Sequence, residues 1–287
     1  MGTAILNGLL NAPPEEANKL PFTRFIACVR SQNSEERLKE RFSEHLDKVE
    51  VTRGENISAV QKSEVIILGS DPADIETLLS QQGLREAVAN RLLISIAAGW
   101  TRQKLEQRLY GSETTAINTN GRAWVVRTLP NIAAQVSQSL TAIEASEPAL
   151  PIEYLEITTA IFRQIGRPVH VDARLMNVTT AVGGSTPAFF AVICDALIDA
   201  AVAVGMPRGL AHTMIFQSMQ GTATMLQGGV HPALLRDQGT SPEGCTIGGL
   251  MVMEEAGVRG HVGRALREAV TLARLMETTE HVNDTRH

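Results

Sequence analysis

The chain has 287 residues and a mass of 31.0 kDa, room for one large domain or two ordinary ones. Hydrophobic residues make up 44% and charged residues 20%, a globular balance that excludes disorder and fibrous repeats. A formal charge of −5 gives no global electrostatic reason to bind nucleic acid, and aromatic residues at 4% offer little surface for stacking on bases or sugars. By eye, no apolar run reaches the ~18–20 residues that a bilayer span needs. Met1–Asn11 carries no basic leader or small-residue cleavage site, so no secretory signal is expected there. Cys28, Cys194 and Cys245 lie far apart without CxxC spacing and read as reduced thiols of a cytoplasmic protein.

The first half alternates short apolar runs with helical patterns. Strands are predicted at Thr23–Val29, Val49–Thr52, Glu64–Leu68, Leu92–Ala97 and Arg122–Thr128. Between them lie helical patterns at Asn33–Leu46, Asp74–Leu79 and Thr101–Tyr110. Continuous apolar strands suit a parallel sheet with both faces covered, so the alternation predicts a doubly wound α/β domain. After Val169–Asp172 no further strand is expected. Thr186-Pro187 is read as the start of a helix to about Val204, and Pro207 as the start of another to Gln227. Ser241-Pro242 is read as opening a third, stopped near Gly257, and the last runs from Val262 to Thr278. The helix PAFFAVICDALIDAAVAV is apolar almost all round. It must be buried on every side, which favours an interleaved dimer over a monomer that keeps it in its own core. The expected division is residues 1–170, a Rossmann-type dinucleotide-binding domain, and 171–287, a helical domain.

A doubly wound sheet binds nucleotides at the carboxyl ends of its strands. Arg30 and Ser31 follow the first predicted strand; a cation and a hydroxyl there suit the 2′-phosphate of NADP better than the ribose of NAD, or else they form a solvated strand end. Gly69 and Ala97, Ala98 and Gly99 would let a cofactor approach the backbone closely, or are ordinary turn residues. Met1-Gly2 runs straight into a helical pattern. Gly2 looks like the last glycine of a dinucleotide loop, so the preceding strand and the first two glycines are expected upstream of Met1. In the helical half, the segment His231–Ile247 places a loop ahead of a helix start. Free backbone N–H groups there can bind a carboxylate, assisted by the hydroxyls of Ser241 and Thr246, although on this segment alone a well-capped surface helix is the better reading. The seven histidines show no metal-ligand spacing, and no metal is expected.

The stretches GGSTPAFF (Gly183–Phe190), DALIDAAVAVGMPR (Asp195–Arg208), HPALLRD and TSPEGCTIGGLMVMEEAGVRG (Thr240–Gly260) closely resemble the pyrroline-5-carboxylate reductase family, its fungal forms above all. RTLPN and AAGWT extend the likeness into the first half. The resemblance implies a Rossmann domain joined to an interleaved helical dimerisation domain, with dimers assembling into decamers in some members. It implies hydride transfer from NADPH, with NADH as the alternative, to the C=N bond of 1-pyrroline-5-carboxylate, giving L-proline. By motif position, Ser241, Gly244, Cys245 and Thr246 match the substrate-binding residues, and Thr246 the hydroxyl beside the imine nitrogen. Arg30, Ser31, Asn56, Pro72 and Ala97 fall among the dinucleotide contacts, and Ser70, at the carboxyl end of its strand, is counted with them by position. Two departures stand out: Asp71 occupies the place of a lysine, and Glu243 that of the first glycine in an SPGG turn. They leave open a reductase of a related cyclic imine in specialised metabolism. The missing glycines leave open a non-catalytic dimer.

Overall fold

A computed structural model describes residues 1–13, 20–145 and 148–278. The chain divides into two compact units. Unit 1 comprises residues 1–184 together with the segment from Val270 onward, and unit 2 comprises Ser185–Ala269. The expected change at 170/171 falls inside the last strand of unit 1, because Gly166–Asp172 pairs along its whole length with the strand before it.

Unit 1 is built on seven strands: β1 (Phe25–Val29), β2 (Val49–Arg53), β3 (Val65–Leu68), β4 (Leu92–Ser95), β5 (Trp124–Pro130), β6 (Ser139–Ala145) and β7 (Gly166–Asp172). They form two pieces. β1 and β2 pair in parallel by themselves, and the other five run in the order β3-β4-β5-β6-β7. β3, β4 and β5 are parallel, β6 is antiparallel to β5, and β7 is parallel to β6. This is a doubly wound sheet in which β1 and β3 are not hydrogen-bonded neighbours.

The central strands β3, β4 and most of β5 are apolar because both faces are covered. Leu93 and Val125 point into one core with Val60, Leu68, Ile75, Leu84 and Leu105. Their neighbours Leu92, Ile94 and Val126 point into the other, with Ile5, Ile143, Ile161 and Phe162. The period-2 alternation thus feeds two cores from one run, each buried Leu or Ile contributing about 1.5–3 kcal/mol. Helix Gly2–Leu10 supplies Ile5 and Leu9 to the second core. Helix Arg102–Tyr110 is capped by the Thr101 hydroxyl, which accepts from the Lys104 N–H. Inside that helix the buried Arg102 donates from Nε to Glu106 at 2.7 Å.

The observed strands follow the predicted ones with shifts of one to three residues, but β6 and the helix Ile152–Arg163 were not anticipated. The first predicted helix is shorter than expected, ending at Arg41 before a 3₁₀ turn at Ser43–His45.

Unit 2 is wholly helical. Thr186-Pro187 does not open a helix after a break, as expected, because Ser185 already has helical backbone angles (φ −90°, ψ −30°). A π-helical stretch, Thr180–Ser185, links Met176–Thr179 to Thr186–Ala203. This fusion corrects the expectation about apolar runs: Ala173–Ala203 makes 31 helical residues, long and apolar enough to cross a membrane by length and composition. Only Cys194 and Ile198 of Thr186–Ala203 are buried in the single chain. Phe190, Val192, Ile193 and Leu197 are exposed, as are Met214 and Phe216 on Arg208–Gln227 and Met251 and Val252 on Cys245–Glu255. Contiguous apolar surface of this kind marks an interaction face. The helix Pro232–Gln238 was not predicted. The last helix begins at Val258, four residues ahead of expectation, and its C-terminal turns belong to unit 1.

Candidate functional site

In unit 1 the residues expected to contact a dinucleotide gather at the carboxyl ends of the parallel strands. Arg30 and Ser31 follow β1. Ser31 is the N-cap of the helix Gln32–Arg41, its hydroxyl accepting from the Ser34 N–H at 3.2 Å. Arg30 reaches the loop after β3 and pairs with Asp74 at 2.7 Å, yet its side chain remains 84% exposed. Asn56 opens the helix after β2 and donates to Gln81 Oε1 at 3.4 Å. Gly69 and Ser70 follow β3. Asp71, the residue in place of a lysine, caps the turn Pro72–Asp74 by accepting from the Ala73 N–H. The Pro72 carbonyl in turn accepts from the Trp100 indole at 2.9 Å, fastening the loop after β3 to the loop after β4. That second loop holds Ala97, which is buried, then Ala98 and Gly99, whose φ of +76° favours glycine.

These residues fit the adenosine side of NADP. An accessible guanidinium and a ten-residue helix N-terminus stand together at the end of β1, the chemistry a 2′-phosphate needs. Gly2 is the first residue of its helix, whose N-cap Met1 makes no side-chain cap, so that end also presents free N–H groups. Cys28, within β1, takes a bond from the Thr52 hydroxyl at 3.6 Å. Its thiol is exposed, and desolvation by the surrounding protein pushes it above its ordinary value, which favours the protonated form.

The motif RTLPN is anchored twice by its asparagine. Asn131 accepts from the Ala133 N–H and donates from Nδ2 to the Gly183 carbonyl at 2.8 Å. It thereby joins the end of β5 to the π-helical GGS turn, two motifs that lie 52 residues apart.

In unit 2 the expected substrate residues occupy one short segment, but the helix starts later than predicted. Ser241-Pro242 forms a turn closed by the Gly244 N–H donating to the Ser241 carbonyl at 3.1 Å, and the helix runs Cys245–Glu255. Proline at the second place of a turn explains the difference: its fixed φ suits turn and helix start alike. Gly244 is the N-cap, has extended backbone angles and offers no side chain to cap the helix. The N–H groups of Cys245, Thr246 and Ile247 therefore have no intrahelical acceptor, and Cys245 and Thr246 are exposed beside them. A Cβ on Gly244 would meet the Ser241 hydroxyl, which would have to rotate aside. Glu243 adopts φ +57°, a left-handed conformation that glycine takes readily and a glutamate does not. His231 caps the helix Pro232–Gln238 through Nδ1, a structural role.

A second constellation was invisible to sequence reasoning. Arg127 on β5, Glu144 on β6, Asn177 and Glu277 meet in the interior of unit 1. Burial pushes the Glu144 carboxyl above its ordinary range, against the pull of Arg127 and Arg102. The four positions span 150 residues and share no motif, so no local signal could have joined them.

Fold and site together define a two-part protein: a Rossmann-type dinucleotide domain ahead of an all-helical domain with a helix N-terminus fit for a small anion. Comparison with known proteins makes the class particular. A family profile described as pyrroline-5-carboxylate reductase dimerisation matches residues 173–276, and one described as NADP oxidoreductase, coenzyme F420-dependent, matches residues 1–99. The chain is 42% identical over 300 residues to a pyrroline-5-carboxylate reductase of Lophium arboricola, covering 100% of this chain and 93% of that protein. It is 36% identical to one of Neurospora crassa, covering 100% and 94%. Among solved structures, a pyrroline-5-carboxylate reductase of Coxiella burnetii aligns with a TM-score of 0.79 at 25% identity, covering 97% of this chain and 95% of that one. The Plasmodium falciparum enzyme, solved with NADP bound, aligns at 0.78 and 21% identity, covering 97% and 95%, a likeness of fold. The chain belongs to the pyrroline-5-carboxylate reductase family.

Proposed function

We propose that the protein reduces 1-pyrroline-5-carboxylate to L-proline with NADPH, in the cytoplasm, as a homodimer whose partner covers the exposed apolar faces of unit 2. The observation that carries this reading is the uncapped start of the helix Cys245–Glu255, with three free N–H groups flanked by the hydroxyls of Ser241 and Thr246. These N–H groups, with Gly244 and Cys245 at the turn, would hold the substrate carboxylate by hydrogen bonds and the local positive end of the helix. Thr246 would hold the imine nitrogen by its hydroxyl and fix which face of the ring is presented. NADPH, when bound, supplies the hydride. Gly2, Arg30, Ser31, Asn56, Gly69, Ser70, Pro72, Ala97, Ala98 and Gly99 would hold it, with Arg30 and Ser31 on the 2′-phosphate and the reason for preferring NADPH to NADH. A protonated imine is already electrophilic, so alignment and exclusion of water do most of the work and no strong base is needed.

The test is direct. The purified chain is mixed with NADPH and pyrroline-5-carboxylate, and NADPH oxidation is followed alongside proline formation. Absence of both, with the protein folded, refutes the reading. NADH in place of NADPH tests the cofactor preference, and sedimentation separates monomer, dimer and larger assembly. A second reading, a reductase of a related cyclic imine, has one observation in its favour: the Glu243 carboxylate in the substrate turn would repel an anionic ring. Faster turnover of pyrrolines lacking the carboxylate would favour it.

A further inference from the structure

The buried cluster around Arg127 stands outside the machinery described above. Arg127 Nη1 lies 2.7 Å from Glu277 Oε1 and 4.0 Å from Glu144 Oε2, and the Arg127 and Glu144 side chains are 3% exposed. Glu277 Oε2 accepts from Asn177 Nδ2 at 2.7 Å. One carboxylate thus ties the chain as it leaves the sheet, at Asn177, to the chain as it returns, in the last turn of Val258–Thr278, and fastens both to β5. The arrangement is costly. Two carboxylates share one guanidinium. Arg127 Nε, Glu144 Oε1, Asn177 Oδ1 and Glu277 Oε1 make no hydrogen bond among the described residues, the last meeting Arg127 as an ion pair alone. A stability device would be cheaper built from apolar side chains.

What the clamp presses upon gives it a purpose. A Cβ on Gly99 would stand 3.0 Å from the carbonyl oxygen of Met276, the residue beside Glu277. The helix end held by Arg127 and Asn177 is therefore laid against the loop Ala97–Gly99. We propose that Glu277 is a positioning residue for the dinucleotide: through Arg127 and Asn177 it holds the last turn of the C-terminal helix against the Gly99 loop, and so keeps that loop in the shape that takes up cofactor. This rests on the assignment of Ala97–Gly99 to NADPH.

The test uses the full chain carrying Glu277→Gln. Arg127 keeps Glu144 as its counter-charge, so the variant leaves a balanced pair and should fold. Hydrogen exchange at the loop amide of Ala97, which donates to Ser95 Oγ at 3.3 Å, is expected to rise by about tenfold, with the amides of β4 and β5 unchanged. The Kd for NADPH is expected to rise about fivefold with kcat at saturation preserved. Glu277→Ala should do the same more strongly. Unchanged exchange in the loop overturns the proposal, as does acceleration spread evenly over the sheet, the mark of a merely structural role. If the wild-type protein takes up no NADPH, the functional reading fails, and the exchange experiment still decides whether Glu277 holds the loop.

Discussion

Glu243→Gly probes the least comfortable residue in the substrate turn. At φ +57° a glutamate pays the crowding of Cβ against the following carbonyl, about 1–2 kcal/mol. Glycine removes that cost but loses more freedom on folding, which takes back roughly 0.5–1 kcal/mol. The side chain is exposed and makes no hydrogen bond or ion pair among the described residues, so nothing else is lost. The net gain is about 0.5–1 kcal/mol, or about 1–2 °C in Tm for a chain of this length, read by calorimetry at fixed protein concentration. The charge acts separately. A carboxylate ~7 Å from a substrate carboxylate in a water-exposed turn repels it by about 0.6 kcal/mol. Removal should lower KM for pyrroline-5-carboxylate about two- to threefold at low salt, and less as salt screens the pair. Glu243→Gln divides the two effects, because it keeps the strain and drops the charge: KM falls while Tm stays. A lower Tm for the glycine variant would refute the strain argument. An unchanged KM in both variants at low salt would show that Glu243 points away from the substrate.

Thr246→Ala should cut turnover by about tenfold or more while leaving the Kd for NADPH within about twofold, measured by fluorescence titration; equal rates would remove Thr246 from the mechanism. Gly166→Ala should destabilise by about 3 kcal/mol or more in chemical denaturation, since a Cβ there would overlap the Ser139 backbone of the paired strand and φ is +147°. A mild effect would mean that β6 and β7 can part cheaply. Glu144→Gln tests the buried cluster through pH. Because burial raises the folded-state pKa of Glu144 above its ordinary 4.5, its protonated form favours folding, and that contribution is lost as pH climbs through the raised value. The variant should match wild type near pH 4 and gain in relative Tm toward neutral pH; a gain that grows on acidification would reverse the sign.

Much of this protein could be read from its residues. Apolar runs such as Val65–Leu68 and Leu92–Ser95 announce strands covered on both faces, and their spacing with helical patterns announces the doubly wound sheet. β6 escaped because Ser139–Ala145 mixes Thr and Glu into its run, and those polar residues prove to be buried partners of β5 and of the ion cluster. The cap at Ser241-Pro242 was misread because serine followed by proline starts turns and helices alike, and only the backbone of Gly244 distinguishes them.

By itself the order of residues determined most of the parallel strands, the α/β-then-helical fold class and the family, because periodicity, caps and contiguous motifs are local properties carried along the chain. The tertiary structure alone decided that Arg30 faces Asp74, that Asn131 grips the GGS turn and that Glu277 returns to Arg127. Such partners are chosen by which carboxylate or carbonyl arrives within about 3 Å once the sheet has closed, and polar pairing between residues so far apart along the chain leaves no pattern in one dimension.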